Sequence, residues 1–336
     1  MKKWVLFLFI ILFIFIILFI RPTNNNLNDI NTAVSKGYVF LNNNYNKNFS
    51  YNDIYLKYVY PGEKIYCPVD GCSITYRILD AYFGLLFIKQ LGGYNEISNQ
   101  VGYADSVLSS LILLWQNQTI SNTKKSTIKD KDGIALDTYC ILGYIYSDNQ
   151  MAKNSITYLD GDKWLNVNYY KEDVWRNVAD ESWCIRLIIK TKQLEKDKIK
   201  ALISKKIEET DQMVLSDLDL VTKVVTVMHM VYTLYDFSTM QNDSIFNDKL
   251  KQYQDYVFSS FKDKNIKDDD LILSNVLDLL AYSKYDKTKL QEILNILLSR
   301  QQRDGGWYHG EGMSKDNLGV FTTLRVITSI KRFEAI

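Results

Sequence analysis

Apolar residues recur along this chain at helical spacing almost from end to end. Leu290, Ile293, Leu294 and Leu297 fall at i, i+3, i+4 and i+7, the stripe of a helix with one buried face. Phe246, Leu250, Tyr253, Val257 and Phe261 form another stripe, with Asp248, Lys249, Lys251 and Asp255 on the opposite face. Between such stretches lie segments that are apolar nearly all round, Val221 to Met228 being the clearest. A helix apolar on every side has to be surrounded by protein. One-faced helices are predicted near 29–45, 97–116, 149–160, 193–208, 244–263 and 286–302. The more uniformly apolar ones are predicted near 73–90, 134–147, 176–190, 213–235, 269–283 and 317–332. Their strict alternation predicts an all-α body, an (α/α)6 toroid or barrel of outer and inner helices. No strand-like alternation persists, and the prolines, Pro22, Pro61 and Pro68, all precede residue 70.

The segment Arg300-Gln301-Gln302-Arg303-Asp304-Gly305-Gly306-Trp307 links the last two of these helices. A similar helix ending, Leu111-Ile112-Leu113-Leu114-Trp115-Gln116-Asn117-Gln118, occurs earlier in the chain. Asp70-Gly71, Asp132-Gly133 and Asp304-Gly305 are turn signals placed ahead of inner-type helices. One hairpin cannot bury its inner face alone, so copies pack side by side until the ring closes. The glutamine-ended, glycine-tryptophan turn resembles the repeat of the squalene/terpenoid cyclases and protein prenyltransferases, which also recurs in complement-like thioester domains. The resemblance covers the last hairpin and implies the toroid fold, not an activity. The cyclases' D-x-D-D acid motif is missing, because Asp268-Asp269-Asp270 lacks its spacing. The prenyltransferases' zinc set of Asp, Cys and His has no convincing counterpart either.

Placement is read from the other end. Trp4 to Ile20 is an uncharged apolar run preceded by Lys2 and Lys3 and followed by Arg21-Pro22. At about 1.5 Å per residue it reaches about 25 Å, the short end of a bilayer span. A cleaved signal peptide is the alternative, but no small-residue cleavage pattern follows the run. The expected organisation is a cytoplasmic tip and transmembrane signal-anchor over 1–22, a polar Asn-rich spacer over 23–30, and the toroid over 31–336. The excess of positive charge before the run puts the N-terminus in the cytoplasm. Residues 4–20 would then contact the lipid bilayer, making this a single-pass protein of the cell membrane with its body outside.

Cysteine usage and charge narrow the picture further. The chain has 4 cysteines, an even set that suits an oxidising setting. Cys67 and Cys72 bracket the turn Pro68-Val69-Asp70-Gly71 and are expected to form a disulfide. Cys140 and Cys184, on neighbouring inner helices, either pair or serve as small apolar fillers. With His229 they also form a weak zinc candidate, although His229 reads first as an interior histidine. Acceptor triplets for N-glycosylation occur at Asn48, Asn117 and Asn242. A net charge of +1 and the absence of a basic stripe exclude nucleic acid as a partner.

Four connections from outer to inner helices are long: 46–72, 117–133, 161–174 and 303–316. They share one side of an alternating barrel, where function usually sits. They carry Tyr66, Trp164, Tyr170, Trp307 and Tyr308, aromatic faces suited to sugar rings, or to covering the barrel top. Asp137, Asp180 and Glu181 fall in the first turns of inner helices, while His309 and Glu311 lie in the last long connection. Paired carboxylates would serve a glycoside hydrolase, and His309 a lyase base. Carboxylates in a first helical turn also offset the helix dipole. Two readings from different classes follow: a membrane-anchored enzyme acting on a glycan, hydrolase- or lyase-like, or a non-catalytic surface module binding a glycan or a protein. A terpenoid- or prenyl-processing enzyme is a third. No cofactor is implied.

Overall fold

Aspartate caps set several of the helix starts. Asp219, Asp269 and Asp286 each precede a helix and accept a hydrogen bond from a backbone N–H of its first turn. The computed structural model describes residues 25–44, 73–115, 136–160, 174–311 and 319–336, and every regular element among them is helical. We number the helices α1 (Asn25–Asn44), α2 (Ser73–Leu91), α3 (Ser98–Trp115), α4 (Leu136–Tyr146), α5 (Asn149–Asp160) and α6 (Val174–Thr191). The second half adds α7 (Lys196–Leu215), α8 (Leu220–Met240), α9 (Asn247–Ser260), α10 (Asp270–Tyr282), α11 (Lys287–Arg300) and α12 (Gly319–Glu334). Short helical turns occupy Asn95–Ile97 and Lys264–Lys267.

These match the expected segments, with one displaced joint. The link expected near 209–213 runs inside α7, and the break falls at Ser216–Asp219 instead. The reason is local. Met213 is buried beneath α7 as part of that helix's own stripe, and Asp219 supplies the cap that starts α8.

The even-numbered helices contact one another in chain order. Helix α2 packs on α4, α4 on α6, α6 on α8, α8 on α10 and α10 on α12, and α12 packs back on α2. From α3 to α11, each odd-numbered helix lies against the two even-numbered helices that flank it in sequence, and α1 lies against α12. Burial follows the same division. Val224, Val227, Met230, Val231, Leu234 and Phe237 of α8 are enclosed on several faces, whereas α11 buries only the stripe Leu290, Ile293, Leu294 and Leu297.

The Gln-Gly-Trp segment that follows α11 works as a clasp. The Gln301 side chain donates to the carbonyls of Ala33 on α1, at 2.7 Å, and of Gly305, at 2.9 Å. The Trp307 indole donates to the Leu297 carbonyl on α11, and the Trp307 backbone N–H donates to the Thr323 hydroxyl on α12. Gly305 has a φ of 92°, and a Cβ there would run into the Lys36 carbonyl of α1. Only glycine satisfies both conditions without strain. The last connection is thereby fastened to the first described helix.

Cys140 of α4 and Cys184 of α6 are joined by a disulfide across 4.9 Å between Cα atoms. They are therefore neither free apolar fillers nor zinc ligands with His229. No described group of His, Cys, Asp and Glu is arranged to hold a metal ion. Cys67 and Cys72 lie outside the described residues, as does Trp4–Ile20. Among the described helices none is long and apolar enough to cross a membrane.

Candidate functional site

The most concentrated polar chemistry of the fold lies between the even-numbered helices, where a purely apolar contact would have been simplest. Arg186 of α6 donates through Nε to Asp236 of α8 at 2.7 Å, with both side chains almost wholly buried. The same carboxylate accepts from the hydroxyls of Tyr144 on α4 and Tyr282 on α10. Aromatic rings surround the guanidinium: Trp183 at 4.1 Å, Tyr144 and Tyr232 at 4.6 Å, and Tyr282 at 5.5 Å from its central carbon. One side chain on α6 is thus held by residues of α4, α8 and α10.

A second ion pair extends the cluster to α12. Arg332 donates through Nε to Asp278 of α10 at 2.6 Å, and Tyr232 of α8 donates its hydroxyl to the other oxygen of that carboxylate. The Arg332 guanidinium sits 4.7 Å from the Tyr282 ring. Lys190, one turn beyond Arg186, donates to the Tyr144 carbonyl and lies over its ring. Spacing along the helices places these groups by design: Trp183, Arg186 and Lys190 share one face of α6, as His229, Tyr232 and Asp236 share one face of α8.

Electrostatics is shaped first by burial. Burial opposes the charge on Arg186, but Asp236 and the adjacent tyrosines hold its pKa well above the ordinary value. Burial raises the Tyr144 and Tyr282 hydroxyls, which therefore stay protonated and act as donors. His229 is pushed down to about 4 by burial, and then by the positive charges of Arg186 and of Arg325 on α12. It is neutral at physiological pH and lies within reach of both guanidinium fields. Burial also lowers Lys190, opposed by Asp236.

The expected site residues fall in several places. Glu181 is buried on α6 and pairs with Lys206 of α7, which also holds Glu209 at 2.6 Å. Its carboxylate is thus turned toward α7. Trp307 is fully enclosed in the clasp and presents no face to a ligand. Tyr308 is half-buried against Phe40 and donates to Asp304. His309 is exposed and held at the start of α10: its carbonyl accepts the Asp270 backbone N–H, and its own N–H donates to the Asp270 carboxylate at 2.8 Å. Glu311 is exposed two residues further on. Asp137 and Asp180 stand on α4 and α6, but their side chains lie outside the described residues, as do Tyr66, Trp164 and Tyr170.

The structure therefore does not bring the expected acids together among the described side chains. It assembles Arg186, Asp236, Tyr144, Trp183, Tyr232, Tyr282, Asp278 and Arg332, none of which was singled out from the sequence. A signal was available for part of it: Asp236 and Asp278 are acids inside strongly apolar segments. Comparison with known proteins adds nothing to the geometry, since no family model, curated protein or solved structure matches this chain.

Proposed function

We propose that this protein is a membrane-tethered, extracytoplasmic (α/α)6 toroid that binds a saccharide in a recess between its inner helices. The toroid reading is supported by the closed succession of contacts among α2, α4, α6, α8, α10 and α12, with the odd-numbered helices lying outside them. It agrees with the terpenoid-cyclase-like resemblance of the last hairpin, which speaks to fold alone. An extracytoplasmic body is supported by the Cys140–Cys184 disulfide, a bond that persists in oxidising compartments. The apolar run Trp4–Ile20 supplies the tether.

One observation carries the ligand class. Trp183, Tyr232 and Tyr282, on three successive inner helices, each keep part of their surface accessible although their helices are packed on several sides. Tilted and stacked rings beside hydrogen-bonding carboxylates and guanidinium groups suit the C–H faces and hydroxyl edges of a sugar. Binding is favoured over hydrolysis, because the carboxylates beside these rings are already engaged, Asp236 by an arginine and two tyrosines and Asp278 by an arginine and a tyrosine. The hydrolase or lyase reading depends on Asp137, Asp180, His309 and Glu311, and it is the second reading.

The test is calorimetric titration of the full-length protein in nonionic detergent with neutral and acidic oligosaccharides, alongside an assay for their cleavage. Binding without cleavage, lost in Trp183→Ala, is the expected result. Cleavage abolished by Asp180→Asn would replace the binding reading with the enzymatic one. No binding to any member of the panel would refute both.

A further inference from the structure

The two inner ion pairs leave an imbalance. Asp236 accepts Arg186 Nε and Tyr144 on one oxygen and Tyr282 on the other, so it pairs with Arg186 through Nε alone. Asp278 is likewise shared between Arg332 and Tyr232. Two buried donors remain without an acceptor among the described residues: Nη1 of Arg186 and Nε of Arg325. Arg186 is only 3% exposed. A buried guanidinium N–H with no acceptor is costly, and such groups are rare in native folds.

The direction of Arg186 Nη1 is also fixed. Its neighbour Nε is committed to Asp236, and rings from four residues pack around the guanidinium. The rings cover the faces of the guanidinium, which leaves its plane for an acceptor, the geometry in which carboxylate and sulfate oxygens are recognised. Charge points the same way. Among the described residues the inner cluster carries Arg186, Lys190, Arg325 and Arg332 against Asp236 and Asp278. His229, near both Arg186 and Arg325, is neutral and retains one ring N–H to donate.

We infer that Arg186 and Arg325, with His229 beside them, form a binding site for an oxyanion, a carboxylate or sulfate borne by the ligand. That the oxyanion is attached to a sugar rests on the saccharide reading above; the anion site itself does not.

The experiment titrates three probes into the full-length protein in nonionic detergent: a glucuronate-containing oligosaccharide, its neutral counterpart, and inorganic sulfate. Each is repeated with Arg325→Gln and with Arg186→Lys, which keeps a charge for Asp236 but removes Nη1. The acidic sugar is expected to bind about tenfold or more tightly than the neutral one, an advantage that Arg325→Gln erases. Sulfate should compete with it. If Arg186→Lys fails to fold, Arg325→Gln alone decides. Sulfate binding that depends on Arg325, with no sugar bound, would keep the anion site and sink the saccharide reading. Equal affinity for acidic and neutral sugars, or acidic-sugar binding indifferent to Arg325→Gln, would overturn the anion site and leave the saccharide reading standing. No response to any probe would overturn both.

Discussion

Arg186 gives Asp236 one N–H at 2.7 Å, and the same carboxylate accepts from two tyrosines on other helices. An ion pair so enclosed contributes little net stability when intact, since desolvation offsets most of the attraction. Breaking it on one side is a different matter, because an uncompensated charge stays behind. Asp236→Ala should therefore cost about 3–5 kcal/mol in denaturant unfolding. The replacement of both partners, Arg186→Met with Asp236→Leu, should cost much less. A loss below about 1 kcal/mol in Asp236→Ala would mean that water reaches the pair and the enclosure is wrong.

The Cys140–Cys184 bridge spans 44 positions of sequence. Constraining a loop of that length in the unfolded chain stabilises the fold by about 2–4 kcal/mol. Reduction, or Cys140→Ala with Cys184→Ala, should lower the unfolding midpoint accordingly. Peptide mapping without reductant should recover the linked pair. Both thiols found free in protein taken from its own membrane would remove the support for an extracytoplasmic body.

Most of the helix order was legible because it rests on one strong signal, the position of apolar residues. The stripe Leu290, Ile293, Leu294 and Leu297 is buried as its spacing requires, and Leu250, Tyr253, Val257 and Phe261 behave likewise. The joint between α7 and α8 was misplaced because Met213 and Val214 continue an apolar pattern into which no glycine or proline is inserted. There the break is made by a cap, Asp219, and a single aspartate among many is a weak mark in sequence.

Trp307 shows why the site was harder. An aromatic beside two glycines reads equally as a binding platform or as a wedge, and packing decides. Here Gly305 and Gly306 let the loop approach Lys36 and Phe40 of α1, which drives the tryptophan inward. A pair of substitutions tests this. Gly305→Ala meets a left-handed φ of 92° and the Lys36 carbonyl, so it should destabilise by about 1–3 kcal/mol from backbone strain alone, with the clash added. Gly102→Ala, in α3 with nothing near the new methyl, should instead stabilise by up to about 1 kcal/mol. Thermal unfolding of the two variants moving the same way would disprove the clasp.

Arg186, Asp236, Tyr144 and Tyr282 escaped notice for a related reason. They come from four helices, and nothing in one stretch of sequence announces that they meet. Each lies in a different helix, and only the packing of α4, α6, α8 and α10 turns them into a cluster.

His229 supplies a pH dependence with a definite sign. Burial and the neighbouring guanidinium groups lower its pKa from 6.5 to about 4 in the folded protein. Above pH 6.5 it is neutral in both folded and unfolded chains and has no effect. As the pH falls toward 4 the unfolded chain takes up a proton that the folded one refuses, so stability is lost across that window. The shift corresponds to about 3 kcal/mol by pH 4, at about 1.4 kcal/mol per unit. His229→Gln removes the titration without adding a charge. Half-buried Asp269 and buried Asp270, whose pKa values are raised by desolvation, work in the opposite direction but are common to both proteins. The comparison is thus the difference between wild type and variant in denaturant unfolding at pH 7.5 and pH 4.5. That difference should shift toward the variant at the lower pH by about 2–3 kcal/mol. A constant difference would place His229 in contact with solvent, outside the field of Arg186 and Arg325.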